Sequence, residues 1–324
     1  MAHDYTQEES RAVEAATVGP CKQIQDACRD KWKGTQPQRA PKILYHYTKA
    51  ATFQEILNSG TIWASDIRYM NDASEVTYVS DILKSVIKEA KRSVHGDHEC
   101  KLLERISTFD ITEMFRVFAL CFSELHDSIP QWIAYAGRRG GFAIGMKLDP
   151  RLLQVEHEEG GAQTGYLVKV VYDDDKLRAV SQDLIAQLVE LYRHARDQVA
   201  EHLRIFVMAR FSQAWQSGFS DLMLSFKQPG FEHEKEWRLV CPVLKWEEKG
   251  TQYHVGVMGL IPHLPLKLTH TVGVSSGRFP VAEVIQGPTA ERELALEALR
   301  RFLDGLGYMS PLVPVRASKM PLRF

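Results

Sequence analysis

Residues 43–64 read ILYHYTKAATFQEILNSGTIWA, and this stretch decides how the chain is to be folded. Ile43–Tyr47 is a short apolar run of strand length. Phe53, Ile56 and Leu57 then recur at helix spacing, with Thr48 placed to cap the helix and Gly60 placed to end it. Thr61–Ala64 is strand-like again. A polar histidine, His46, thus stands inside an aromatic strand that runs directly into a helix, a glycine and a second strand. A lone histidine in such a place is ordinarily structural, its ring nitrogens bonded to backbone.

Working outward, Met70-Asn71-Asp72 reads as a turn before a helix from about Ser74 to Arg92. Arg116–Ser123 and Gly141–Leu148 are strong strands, joined by a polar connection that ends in Trp132 and Tyr135. Tyr166–Tyr172 is a further strand, and 175–217 is helical by periodicity, as more than one helix. Trp237–Val243, Thr271–Ser275 and Val281–Ile285 complete the strands. Thr289 is placed to cap a last helix that Gly305 stops. Residues 1–33 suggest two short helices broken at Gly19-Pro20, followed by a linker over 35–41. The expected organisation is a helical N-terminal extension and linker over 1–40, and a single α+β domain over 41–324. Strands and helices mix without regular alternation, which argues for α+β, a split mixed sheet with helical insertions, over a doubly wound parallel fold.

Composition narrows the chemistry. The 324 residues carry 40 basic and 41 acidic side chains, a formal charge of −1. There is no whole-chain basic field to gather nucleic acid, so such binding would rest on a local patch. Five scattered cysteines form no C-x-x-C, which speaks against a disulfide framework or zinc ribbon. Gly250–Leu266, the longest stretch without Asp, Glu, Lys or Arg, contains two histidines and two prolines and reads as loop and strand, not a membrane span. With no secretory signal at the N-terminus, a cytoplasmic protein is expected. Glycine-rich dinucleotide and P-loop motifs are absent, as is a nucleophile elbow. His233-Glu234-Lys235-Glu236-Trp237 begins like a zincin helix, but Trp237 stands where the second histidine belongs. His95–Cys100 reads as a surface loop, and no metal site is expected.

Glu232, Glu234 and Glu236 lie within five residues, immediately before the strand Trp237–Val243. On an extended chain they share one face. They are either a wet strand edge with Lys235 and Arg238 as partners, or a rim carboxylate that stabilises a developing cation.

From about Leu44 onward the chain resembles a large bacterial family known only as a domain of unknown function. The matching features are Leu44-Tyr45-His46-Tyr47-Thr48, Met70-Asn71-Asp72-x-x-Glu75, Cys121-Phe122-Ser123, Trp132-x-x-Tyr135, Gly141-Phe142-Ala143-Ile144, Phe231-x-x-Glu234-x-Glu236-Trp237-Arg238 and Ser318-x-x-Pro321-x-Arg323. Tyr45–Gly60 and Glu236–Val240 also resemble the ADP-ribosyltransferase superfamily, especially the branch that modifies DNA bases, and Glu234-Lys235-Glu236 resembles the Glu-x-Glu of arginine-modifying members.

That resemblance implies an ADP-ribosyltransferase-like fold and NAD as substrate. It implies a mono-ADP-ribosyltransferase with a macromolecular acceptor, protein or nucleic acid, in the manner of a bacterial toxin or anti-phage effector. The implied catalytic residues are Glu236, with Glu234 second and turned to the acceptor, and His46, which would hold a ribose hydroxyl. The implied NAD-binding residues are Tyr47 through its backbone, Thr48, Ser123, and either Tyr69 or Tyr135 against the nicotinamide ring. NAD glycohydrolysis uses the same residues with water as acceptor. A non-catalytic nucleotide- or nucleic-acid-binding module on the same fold is the alternative from another class. A metal-dependent phosphate-acting enzyme using Asp72, Glu232 and Glu234 is a third.

Overall fold

A computed structural model describes residues 6–70, 74–108, 115–137, 140–148, 154–156, 162–244, 250–256, 258–268, 279–308 and 312–321. The chain is mixed α+β and divides into two compact units, each drawn from three segments.

The first unit comprises Met1–Pro37, Ala73–Met114 and Val171–Pro229. Its helices are α1 (Gln7–Thr35), α3 (Ser74–Ser93), α4 (Asp97–Ser107), α5 (Asp174–Arg196) and α6 (Arg204–Ser225). The 1–40 extension of the sequence reading thus contributes α1 to a larger helical body.

The expected break at Gly19-Pro20 does not occur: α1 is one helix of 29 residues with Pro20 inside it. An interior proline costs roughly 3 kcal/mol. A capping box between Thr6 and Glu9 and a buried stripe of Val13, Ala16, Thr17, Ile24 and Cys28, packed along α6, offset that cost. Gly218 of α6 is the close approach, since a Cβ there would lie 3.2 Å from the Cys28 Sγ. Trp32 Nε1 donates to Ser225 Oγ at 2.9 Å, locking the far end. The 97–100 segment is not a surface loop but the first turn of α4, where buried Glu99 accepts from Arg193 (3.1 Å) and Arg196 (2.8 Å) of α5.

The second unit comprises Gln38–Asp72, Phe115–Val170 and Gly230–Phe324, and it holds the strands. These are β1 (Leu44–Lys49), β2 (Ile62–Asp66), β3 (Phe115–Ser123), β4 (Gly141–Met146), β5 (Gln154–Glu156), β6 (Ala162–Thr164), β7 (Tyr166–Lys169), β8 (Glu236–Leu244), β9 (Gln252–Gly256), β10 (Gly259–Leu268), β11 (Glu283–Gln286) and β12 (Val315–Ala317). They join in one mixed sheet, antiparallel among these named strands except where β12 lies parallel to β11. The 271–275 strand expectation and the Asn71-Asp72 turn lie outside the described residues.

β3 is the hub. One edge pairs with β8 along its whole length, from Phe115↔Leu244 to Ser123↔Glu236. The other edge is shared: β1 meets it at Tyr45↔Ser123, and β2 meets it at Ser65↔Ala119 and Asp66↔Phe118. Between those pairs, β1 and β2 diverge and the sheet forks.

The sheet has two unlike faces. Leu44, Ile62, Ala64, Leu120, Phe122, Ile144, Trp237, Leu239, Leu264 and Leu266 form one continuous core with Phe53, Ile56 and Leu57 of α2 (Ala50–Ser59) and with Leu299 and Leu303 of α7 (Arg292–Gly305). The opposite face holds a smaller cluster of Tyr45, Tyr47, Ala143 and Ile285 under Trp132 and Ala136. Gly60 ends α2 at φ 69°, as its position in the sequence implied. Two expected caps differ. Thr48 stays in β1, and Lys49 precedes α2 without a side-chain bond; likewise Glu291, not Thr289, precedes α7, and Gly305 is its last residue, not its stop. In both places the strand or loop backbone carries the chain into the helix, and the threonine hydroxyl is not needed there.

Candidate functional site

The polar residues that the sequence singles out gather at the end of β3 and β8. Glu236 opens β8 opposite Ser123, and both are buried. Its carboxylate receives Arg238 in a two-point arrangement, Nε to Oε1 at 2.8 Å and Nη2 to Oε2 at 3.3 Å, and the Arg238 side chain is only 5% exposed. Such a fork fixes the carboxylate in orientation as well as charge.

Glu232 and Glu234 do not continue the alternation expected of an extended chain. They belong to a 3₁₀ stretch, Pro229–Glu234, and Lys235 between Glu234 and Glu236 takes φ +45°. A left-handed lysine is strained and turns the chain sharply into β8. Glu232 is thereby left at the surface, paired with Lys235 at 2.9 Å, which holds its carboxyl below the usual range. Glu234 turns inward: Tyr135 Oη donates to its Oε1 at 3.2 Å, while its backbone carbonyl accepts from Ser123 Oγ at 2.7 Å and from Gln131 Nε2 at 3.5 Å.

Tyr135 and Gln131 reach this point from one helical segment. A short turn, Ile129–Gln131, runs into a π-helical turn, Trp132–Ala136. A π turn widens the helix by one residue, is costly, and concentrates at sites where side-chain direction matters. Trp132, fully buried, packs edge-on against Tyr47 at 4.7 Å, and Tyr47 Oη donates to the Leu125 carbonyl at 2.7 Å.

His46 sits at the fork. Its Nδ1 lies 3.0 Å from the Cys121 carbonyl of β3. A carbonyl only accepts, so Nδ1 carries the hydrogen and Nε2 presents a lone pair. Burial holds the ring below the usual imidazole range, against the opposing effect of the Cys121 bond, so it is neutral at pH 7. Pairing with Ile144 and an edge contact with Phe122 at 6.2 Å set the ring on the apolar face. Glu236, in register with Ser123 and Tyr45, lies on the other.

The structure therefore joins Glu234, Tyr135 and Ser123 by hydrogen bonds and sets Glu236 beside them by register. His46 is connected to that group through β3, not across a shared face. Of the two tyrosines, Tyr135 belongs to the group. Tyr69 ends the turn Ile67–Tyr69 after β2, with the Arg68 guanidinium 5.7 Å from its ring centre. Ser123 Oγ is used internally, donating to Glu234 and accepting from the Leu125 amide at 3.1 Å. Thr48 is buried in β1 opposite Phe142.

A row crosses the same polar face: Glu283, Gly145, Tyr45, Ser123 and Glu236, on β11, β4, β1, β3 and β8. Tyr45 Oη donates to Glu283 Oε1 at 2.5 Å over Gly145, where any Cβ would lie 2.9 Å from Glu283 Cγ. Glu283 and Gln131 carry no local signal in the sequence: Glu283 enters by strand register and Gln131 by the turn that precedes Trp132.

Among the described residues no group of three metal-ligating side chains occurs, and no helix is long and apolar enough to cross a membrane. All five cysteines are free thiols. No curated protein and no solved structure matches the chain. Over residues 131–239, which run from Gln131 through Tyr135, Glu234 and Glu236 to Leu239 of β8, the chain is similar to a family described as protein of unknown function (DUF2971).

Proposed function

We propose that the protein is an NAD-dependent mono-ADP-ribosyltransferase that modifies a macromolecular acceptor, protein or nucleic acid. The observation that carries this reading is the pair of inward-turned carboxylates, Glu234 and Glu236, held by separate partners across a strained Lys235 at the start of β8. Strain of this kind persists where surrounding structure enforces it, and it clusters at functional sites.

Breaking the bond between nicotinamide and ribose leaves positive charge on the ribose C1′ and ring oxygen, as in glycoside cleavage. The electron pair of the broken bond departs with nicotinamide. Glu236, held at both oxygens by Arg238, is suited to stabilise that charge from a fixed position. Glu234, within reach of the Tyr135 hydroxyl, is suited to take the proton that the acceptor loses as it bonds to C1′. His46, on the opposite face, does not share the ribose with Glu236 in this reading; it anchors β1 to β3 through the Cys121 carbonyl.

A non-catalytic nucleotide-binding module is favoured by one observation: His46 and Glu236 occupy opposite faces. One experiment separates the readings. Nicotinamide release and transfer of labelled ADP-ribose are measured with the purified chain, with protein or DNA supplied as acceptor, and repeated for Glu236→Gln. Transferase activity predicts labelled acceptor and a loss of about 10²-fold or more in the variant. Free ADP-ribose as the sole product would indicate glycohydrolysis. NAD binding without release would support the binding module, and full activity in the variant would overturn the role of Glu236.

A further inference from the structure

We infer that Asp127 is a positioning residue for this site and that Ser318–Met320, near the C-terminus, is the clasp through which it works; the inference rests on the reading of Glu234 and Tyr135 given above. Asp127 lies on the connection between β3 and the 129–136 helix. Its Oδ1 accepts from Trp132 Nε1 at 2.7 Å and from Ser318 Oγ at 2.6 Å, and its Oδ2 accepts from the Lys319 amide at 2.8 Å. One carboxylate thus ties three points of chain together with charge-assisted bonds.

The clasp is itself anchored. Ser318 N donates to the Gln286 carbonyl of β11 at 2.7 Å, and Ser318 Oγ accepts from the Met320 amide at 3.1 Å. The Met320 side chain packs onto the cluster of Tyr45, Tyr47, Trp132 and Ile285. Preceding residues form β12, so the clasp hangs from the sheet, not from a free tail.

The chain of contacts then runs inward. Asp127 fixes the Trp132 indole. Trp132 is the first residue of the π turn whose fourth, Tyr135, donates to Glu234, and it directly follows Gln131, which donates to the Glu234 carbonyl. Gly287 leaves the indole no slack, because a Cβ there would sit 3.1 Å from Trp132 Cε3. Rotation of this helix by a fraction of a turn moves the Tyr135 hydroxyl off Glu234. The geometry therefore makes the last described residues of the chain a support of the site, although they touch neither carboxylate.

The test uses the full chain with Asp127→Ala, Asp127→Asn and Ser318→Ala, each checked for an unchanged melting profile. Amide hydrogen exchange is mapped, and nicotinamide release is measured as kcat and KM. The expected result is exchange over 129–136 faster by about tenfold or more in Asp127→Ala and Ser318→Ala, with α2 and β10 unchanged. Asp127→Asn, which keeps one acceptor oxygen, recovers part of the protection. In turnover, kcat falls about tenfold while KM for NAD stays within about twofold, because the displaced groups serve the acceptor step. Exchange over 129–136 at the parent rate in both Asp127→Ala and Ser318→Ala overturns the clasp. If the parent protein releases no nicotinamide, the NAD reading fails, and the exchange map still decides the clasp.

Discussion

β3 and β8 present two faces built from alternating residues of the same two strands, and the faces are held by opposite means. On one side Leu120, Phe122, Trp237 and Leu239 join the apolar core, where stability is roughly proportional to area removed from water and largely indifferent to direction. On the other side Cys121, Ser123, Glu236 and Arg238 alternate in the same register. Here burial is a cost that only correct pairing offsets. The apolar face explains why the sheet folds. The polar face contributes less to stability than an apolar one of the same shape would, and such an arrangement persists where specificity or chemistry requires it.

The sharpest way to break this comparison is to cut one partner on the polar face. Glu236→Ala strips the buried Arg238 of the carboxylate that matches it and is expected to cost about 3–5 kcal/mol in urea unfolding. Replacing both, as Glu236→Leu with Arg238→Met, is expected to recover most of that loss, because the desolvation cost disappears with the charges. Leu239→Ala on the apolar face is expected to cost about 2–5 kcal/mol, with no charge-removing partner change able to repair it. A double variant as unstable as Glu236→Ala alone would mean that the two faces do not differ in kind.

A pH experiment extends the comparison along the polar face to β10. His263 is 1% exposed, stacked on Trp63 at 4.0 Å between ring centres, and its Nδ1 lies 3.2 Å from that of His254. Burial first, and the neighbouring His254 second, push its pKa down to about 4. The unfolded chain binds this proton near pH 6.5 while the folded chain refuses it until about pH 4. Stability is therefore complete above the unfolded value and declines as pH falls through that window, by roughly 3 kcal/mol from this group. His263→Phe keeps the stack on Trp63 and is expected to flatten that part of the urea midpoint against pH curve. An unchanged slope would place the acid sensitivity elsewhere.

How much of this was legible depends on whether the signal was local. The strand–helix–strand unit from Leu44 to Asp66 follows from aromatic runs, helix spacing and Gly60, all read within one window. β3, β4 and β8 announce themselves by their apolar runs. The continuity of α1 is not legible locally, because a proline is a strong local breaker and its compensation comes from packing on α6. The divergence of the three glutamates is not legible either, because nothing in a lysine announces φ +45°. That His46 and Glu236 face opposite ways follows from register, which pairs residues far apart in sequence. Asp127 and Ser318, 191 residues apart, are joined by the same non-local geometry. Spacing thus picks out residues that the fold gathers at the end of β3 and β8, whereas their orientation comes from register and backbone geometry that no local window carries.

The smallest expected effect is the most discriminating between stability and function. Lys235 holds its left-handed conformation at a cost of about 1–2 kcal/mol relative to the right-handed region. Lys235→Gly removes that strain and returns about 0.5–1 kcal/mol to the unfolded chain as entropy, while the exposed pair with Glu232 contributes little. The net expectation is a variant within about 1 kcal/mol of the parent, on the stable side. Its activity should nevertheless fall, because the side chain and the strain that fix the turn between Glu234 and Glu236 are gone, and the carboxylates sample more orientations. Urea unfolding and nicotinamide release measured on the same preparation decide the matter. Stability and turnover rising together would mean that the turn is a folding compromise; stability held while turnover drops would mean that the strain is kept for the site.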